Sequence, residues 1–394
     1  MNSKTNKAFD YIIIGAGLSG SVIAERIAST LDKAVLIIEK REHIGGNCYD
    51  YKDDNGIIIH KYGPHLFHTD NKKVWDYLSA FTEWEYFILH VQAYIAGKTV
   101  TLPFNFNTIE QLFPKDIAKR FIEKLTTAYA LNSKIPIIDL KKNKDKVLSF
   151  LSDYIYNNVF LNYTFKQWGL KPEEIDPEVT KRVPIFIGKD DRYFNDSYQG
   201  VPKLGYTKLF EKILKHPKIR LLLNTDFKEI IDIDISKKKI YFFGQEYTGK
   251  IIYTGMLDEL LDYKFGTLPY RSLDLKFETI EKNYFQKVAV VNYPNNYDFT
   301  RITEFKHIHS YGCMTNDKTV ILKEFPMPYE GTKNIPFYPM FDEKSKKEFS
   351  KYNETINNFK NIIPIGRLAE YKYYDMDDAV ENALKIFEEK IKIN

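Results

Sequence analysis

DYIIIGAGLSGSVIAERIAS, Asp10–Ser29, followed by VLIIEK at Val35–Lys40, is the stretch that decides the fold. A short run of apolar residues reads as a buried strand, the glycines as a tight turn, and the small and apolar residues after them as a helix. In the spacing Gly15-Ala16-Gly17-Leu18-Ser19-Gly20, the first glycine makes the turn and the second lets a pyrophosphate approach the backbone. The third lets the helix pack closely on the strand. The helix start offers free amides and a positive dipole end to a phosphate, with Ser19 inside the turn. A second strand ends in Glu39, roughly nineteen residues past Gly20, where a carboxylate holds the ribose hydroxyls of a dinucleotide.

The residues after Glu39, KREHIGGNCYD, favour FAD over NAD. A basic residue, Lys40, precedes Gly45-Gly46 and Asn47, a pattern similar to the second phosphate-contacting loop of FAD enzymes of the glutathione-reductase and amine-oxidase type.

The rest of the composition narrows the setting. A chain of 394 residues exceeds one simple core and calls for two or three packed units. Acids and bases nearly balance at a net charge of +4, which points away from nucleic acid and anionic lipid as partners. The lysine runs KKNKDK and SKKK read as solvated loops. Two cysteines, Cys48 and Cys313, stand far apart, which fits a reducing cytoplasm with no disulfide framework. The histidines lack a carboxylate or cysteine at ligand spacing, so no metal is expected. Lysines before the first apolar run imitate a signal peptide, but the glycine spacing and Glu25 oppose that, and no apolar segment elsewhere is long enough to cross a bilayer.

Seven further segments carry a resemblance. IIIHKYGPHLFHT (Ile57–Thr69), TLPFNFNT (Thr101–Thr108), NYTFKQWG (Asn162–Gly169), YFNDSYQGVPKLGYTKL (Tyr193–Leu209), YRSL (Tyr270–Leu273), TRITEFKH (Thr300–His307) and GRLAEYKYYDMD (Gly366–Asp377) run in order along nearly the whole chain. Together the sequence resembles the bacterial UDP-galactopyranose mutases. The resemblance implies an α/β fold: a discontinuous Rossmann-like FAD-binding domain from residues 1–75, 200–268 and 340–394. It adds a mainly helical domain at 76–175 with a mobile substrate loop, and a twisted antiparallel sheet from 176–199 and 269–339. Helical periodicity in NKKVWDYLSAF and KDIAKRFIEKLTTAYA, and strand-like runs in KVAVVNY and TVILKEF, agree with that order.

The implied activity is interconversion of the pyranose and furanose forms of a nucleotide-linked sugar, with UDP-galactopyranose the first candidate substrate. In that family the N5 of reduced FAD attacks the anomeric carbon while the diphosphate leaves and later returns. By the same resemblance His65, Arg271 and Arg367 are the expected catalytic residues. His60, Tyr163, Trp168, Tyr198, Asn292, Tyr338, Tyr373 and Tyr374 are expected on the substrate. Gly15, Gly17, Ser19, Gly20, Glu39, Lys40, Gly45, Gly46, Asn47, His65, Arg367, Tyr374, Asp375 and Met376 are expected on the cofactor. A homodimer and an external reductant, NAD(P)H or reduced flavin, are implied as well.

One position departs from the pattern. Many mutases have a phosphate-binding arginine two residues after the proline of a KRVP-like segment, where this chain has Phe186. Lys189 or Arg192 is expected to compensate, or else the sugar differs: N-acetylgalactosamine, arabinose, fucose or heptose nucleotides stay open. An amine-oxidase-type flavin oxidase and a non-catalytic sugar-nucleotide sensor are the alternatives from other classes.

Overall fold

The computed structural model describes residues 9–174, 184–309 and 317–393. The strand Tyr11–Ile14 lies at the middle of a five-stranded parallel sheet, flanked by Val35–Ile38 and Lys250–Tyr253 and extended by Ile219–Leu222 and Ile362–Pro364. Val35–Ile38 is buried throughout, as in parallel sheets covered on both faces. Helix Leu18–Leu31 covers one face together with helix Met376–Ile386, which starts far along the chain. This sheet is therefore assembled from three separated parts of the sequence, and its strands end at one rim where the glycine turn begins.

A seven-stranded mixed sheet makes the second layer. Its order is Tyr338–Pro339, Tyr270–Ile280, Thr319–Pro328, Arg301–Glu304, Val290–Asn292, Val91–Ile95 and Lys98–Leu102. The last pair adds two strands to the region 76–175, expected to be mainly helical. VQAYI and KTVTL form a hairpin that joins this sheet, closed at Ala96 and Gly97, both with positive φ. Val91–Ile95 alternates buried and half-buried residues, the period of a strand with unequal faces. The helices Phe106–Leu112, Lys115–Ala128 and Lys146–Ile155 follow and share one apolar core with the hairpin.

Asp50 ties the small Asp50–Lys52 strand to a helix packed on the parallel-sheet core. Its carboxylate accepts the backbone N–H groups of Tyr206 and Thr207, capping helix Tyr206–Ile213 from 156 residues away in the chain. Gly205 precedes that helix at φ +89°, and a side chain there would collide with the same carboxylate. Among the described residues no helix is long and apolar enough to cross a membrane.

Candidate active site

Two cavities meet between the layers. The larger, about 630 Å³, runs along the rim of the parallel sheet, and every cofactor residue expected from the sequence lines it. The turn and the second glycine loop touch: Gly45 N–H donates to Ala16 carbonyl at 2.9 Å, and a Cβ on Gly46 would stand 2.9 Å from Gly17 Cα. A Cβ on Gly20 would meet the Gly15 carbonyl oxygen, so helix and turn are as close as the fingerprint requires. The Glu39 carboxylate accepts Ala16 N–H at 2.9 Å and Arg41 N–H at 3.0 Å, which fixes it at the end of its strand. Lys40 lines the cavity beside Glu259 at 3.7 Å.

Arg41 was not singled out in the sequence and is better placed than Lys40. It bonds Asn47 Oδ1 through Nη2 at 3.0 Å and keeps a buried Nη1 without a partner. A buried cationic donor left unpaired beside two glycine loops suits a pyrophosphate, so the residues present fit a bound dinucleotide. Cys48 also lines this cavity, but burial pushes its thiol up to about 12, so it stays protonated and unreactive. Cys313 lies outside the described residues.

The second cavity, about 200 Å³, is enclosed by the seven-stranded sheet, the Gly63–Leu66 loop and helix Leu161–Trp168. Asn47, His65, Arg367, Asp375 and Met376 belong to both cavities, so whatever fills one lies against the occupant of the other. Tyr163, Asn292, Tyr338 and Tyr373 line the smaller cavity; Tyr374 faces the larger one, its hydroxyl on Glu370 at 3.1 Å.

Arg367 stands at the junction. Its guanidinium lies 5.3 Å from the Tyr338 ring centre and 5.8 Å from that of Tyr373, two rings stacked at 5.7 Å. It donates to the carbonyls of Tyr374 at 2.6 Å and Phe337 at 3.4 Å. These carbonyls orient the cation without neutralising it. Gly366 before it has φ +94°, and a side chain there would strike Ser19 of the glycine turn. Asp375 begins helix Met376–Ile386, its N–H bonded to Asp378 at 2.9 Å, so that helix start also opens on the junction.

His65 Nδ1 lies 2.8 Å from the Gly63 carbonyl and therefore carries the proton, leaving Nε2 as an acceptor. Burial first, then the charges of Arg367 and Arg301, hold its pKa at about 4. The ring is neutral wherever the protein works.

Four expected residues lie elsewhere. Arg271 does not line the cavities; its Nε and Nη2 donate, each at 2.9 Å, to the carbonyls of Gln167 and Lys166 at the end of helix Leu161–Trp168. The strand register turns it toward that helix end, where a cation is favoured. His60 is fully buried, its Nε2 3.0 Å from His309 Nε2 and its Nδ1 accepting His65 N–H, so it supports the loop from behind. Tyr198 stacks on Trp75 at 5.2 Å across the small sheet Phe67–Thr69, Tyr198–Pro202 and Trp84–Tyr86. Trp168 is buried against the outer side of Tyr338 and Tyr373, at 5.8 and 6.1 Å.

Neither proposed substitute for the missing arginine reaches the site. Lys189 pairs with Glu110 at 2.8 Å and Arg192 with Asp190 at 2.6 Å, both outside the cavities, and Phe186 is buried on a separate two-stranded pairing. The second cation in the smaller cavity is Arg301, whose segment was quoted in the sequence but whose role was not. It is half-buried and bonds Glu324 Oε1 at 2.6 Å through Nε. Tyr193 and His68 are further lining residues that the sequence did not mark. The fold also gathers Asp50, His60 and His309, which stand at no ligand spacing in the sequence. Asp50 already serves the helix cap and His60 both of its ring nitrogens, while His309 Nδ1 is buried without a hydrogen-bond partner.

With that geometry in view, the comparisons converge. A family model described as UDP-galactopyranose mutase matches residues 158–373, and one for Rossmann-like NAD(P)-binding domains matches 13–81. A probable UDP-galactopyranose mutase of Klebsiella pneumoniae is 35% identical over 391 residues, 99% of this chain and 95% of that one. The chain belongs to the UDP-galactopyranose mutase family. It is therefore an enzyme of the isomerase class. Within the same range of similarity, a dTDP-fucopyranose mutase of Escherichia coli is 34% identical, covering 97% of this chain and 98% of its own. A crystal structure of reduced UDP-galactopyranose mutase shares the fold at TM-score 0.73 and 17% identity, over 98% of this chain and 94% of that one.

Two outcomes follow from these distances. Because folding depresses the His65 pKa from 6.5 to about 4, stability is lost as pH falls through that window, and ¹⁵N NMR is expected to show a neutral Nδ1–H ring at pH 5.5. A charged ring at that pH would contradict the site described. Replacing Arg301 alone would strand the buried Glu324, so the informative variant is R301Q/E324Q. It is expected to raise the KM for the nucleotide sugar at least about tenfold with the fold intact, the scale of one charge-assisted phosphate contact; an unchanged KM would remove Arg301 from substrate binding.

Proposed function

We propose that this chain interconverts the pyranose and furanose forms of a nucleotide-linked sugar, UDP-galactopyranose first, with FAD in the larger cavity and the nucleotide sugar in the smaller. The observation that carries this reading is the shared wall of the two cavities at Arg367 and His65. Reduced flavin supplies a nucleophilic nitrogen for the anomeric carbon. Everything else falls to the chain's own groups. Arg367 and Arg301 hold the diphosphate as it gains charge and keep it near for its return, and the Tyr338 and Tyr373 hydroxyls are placed to assist them. Neutral His65 orients the sugar through its Nε2 acceptor, and Tyr163 closes the far side against water. Arg271 and Trp168 act indirectly, by holding helix Leu161–Trp168 and the tyrosine pair.

The reading includes an external reductant, NAD(P)H or reduced flavin, a homodimer, and a cytoplasmic place of action. A second substrate is favoured by one feature: Leu66, Leu89, Val91 and Val290 line the same cavity. An apolar wall suits a methyl group better than a hydroxymethyl, as in a 6-deoxy sugar such as dTDP-fucopyranose. The test is turnover of UDP-galactopyranose, dTDP-fucopyranose and the N-acetylgalactosamine, arabinose and heptose donors by dithionite-reduced and by oxidised protein. Furanose product from at least one donor, formed by reduced protein alone, is expected. Equal rates in both redox states, or no furanose from any donor, would overturn the reading.

A further inference from the structure

The ammonium of Lys166 has an unusual environment. It lies 2.6 Å from the Tyr293 carbonyl, 3.1 Å from Asn295, 3.0 Å from Tyr297 and 2.9 Å from Phe299. Carbonyls of alternate residues turn inward around it, and among the described residues no carboxylate pairs with it. An ammonium has three protons for these four oxygens, so the loop is shaped as a cage for a monovalent cation rather than as a partner for one hydrogen bond. The aromatic rings of Tyr293, Tyr297 and Phe299 pack on one another at 4.9–5.5 Å outside it.

What the cage connects gives it a consequence. Lys166 sits one helical turn from Tyr163 on helix Leu161–Trp168, and Tyr163 lines the substrate cavity. The caged loop joins strand Val290–Asn292 to strand Arg301–Glu304, and the residues at its two ends, Asn292 and Arg301, line the same cavity. Upstream, a five-residue π-helical segment, Tyr156–Phe160, interrupts the helix and gives it a place to bend. Arg271 bonds the backbone carbonyls of the same last turn, at Lys166 and Gln167, and leaves the Lys166 side chain to the loop.

We infer that Lys166 is a positioning residue whose ammonium, caged by the 293–299 loop, sets Tyr163 against Asn292 and Arg301 for nucleotide-sugar binding. The inference rests on the mutase reading but concerns a residue outside the cavity lining. It predicts an effect on binding rather than on chemistry. K166A leaves a gap of the size of n-propylammonium, so that cation is expected to refill the cage.

The experiment measures KM and kcat of reduced holoenzyme for whichever nucleotide sugar the wild type turns over. In K166A, KM is expected to rise about tenfold or more while kcat changes less than about threefold. Added n-propylammonium is expected to lower KM again, and sodium at equal ionic strength is not. Should K166A fold poorly, K166R, which keeps the charge, is expected to fold and to retain a KM nearer the wild type. Pairing K166A with Y163F should give a combined effect smaller than the product of the two. An unchanged KM in K166A, failure of n-propylammonium to lower it in a folded variant, or effects of K166A and Y163F that simply multiply would each overturn the inference. A wild type that turns over no nucleotide sugar would instead overturn the mutase reading.

Discussion

The guanidinium of Arg367 is the point on which the site depends. It is half-buried between two tyrosine rings and two carbonyls, and among the described residues no carboxylate forms an ion pair with it. A cation in that setting attracts a phosphate far more strongly than one in water. Because it borders both cavities, an anion bound to it lies next to the cofactor rim. Gly366 makes this possible, since its positive φ brings Arg367 close to the glycine turn without a side chain to block Ser19.

The second layer supplies the counterpart. Arg301 and Asn292 come from neighbouring strands of the seven-stranded sheet, paired directly across the ladder. Buried Glu324 on the next strand holds the Arg301 guanidinium charged, yet also takes one of its donors. Among the described residues the smaller cavity is therefore lined by two guanidinium groups, Arg367 held only by carbonyls and Arg301 paired with Glu324. Arg271 is instead committed to the helix that carries Tyr163.

Much of the cofactor side was legible in the sequence because its constraints are local. Gly15, Gly20 and Gly46 each face a neighbour too close for a Cβ, and such positions read directly as glycines at fixed spacing. The substrate side was legible only through the resemblance, and the contacts the sequence did not show are all long-range. The stack of Tyr198 on Trp75 was not legible because the two lie far apart in the chain, and a tyrosine's ring contacts leave no local mark. His60 could not be assigned because its bond to His309 spans 249 residues. Arg271 and Arg301 look alike as single arginines in strands; only the register decides which one faces the cavity. The hairpin at residues 91–102 was missed although alternation and Gly97 were both present in the sequence.

The central claim is that the diphosphate breaks from the sugar, stays held at Arg367 and Arg301, and rejoins it. Positional isotope exchange measures this directly, using a nucleotide sugar labelled with ¹⁸O at the oxygen bridging the anomeric carbon and the β-phosphorus. Reduced protein is expected to move label from the bridge into the non-bridging phosphate positions at a rate comparable to ring interconversion. Furanose formation with the label still in the bridge would contradict it.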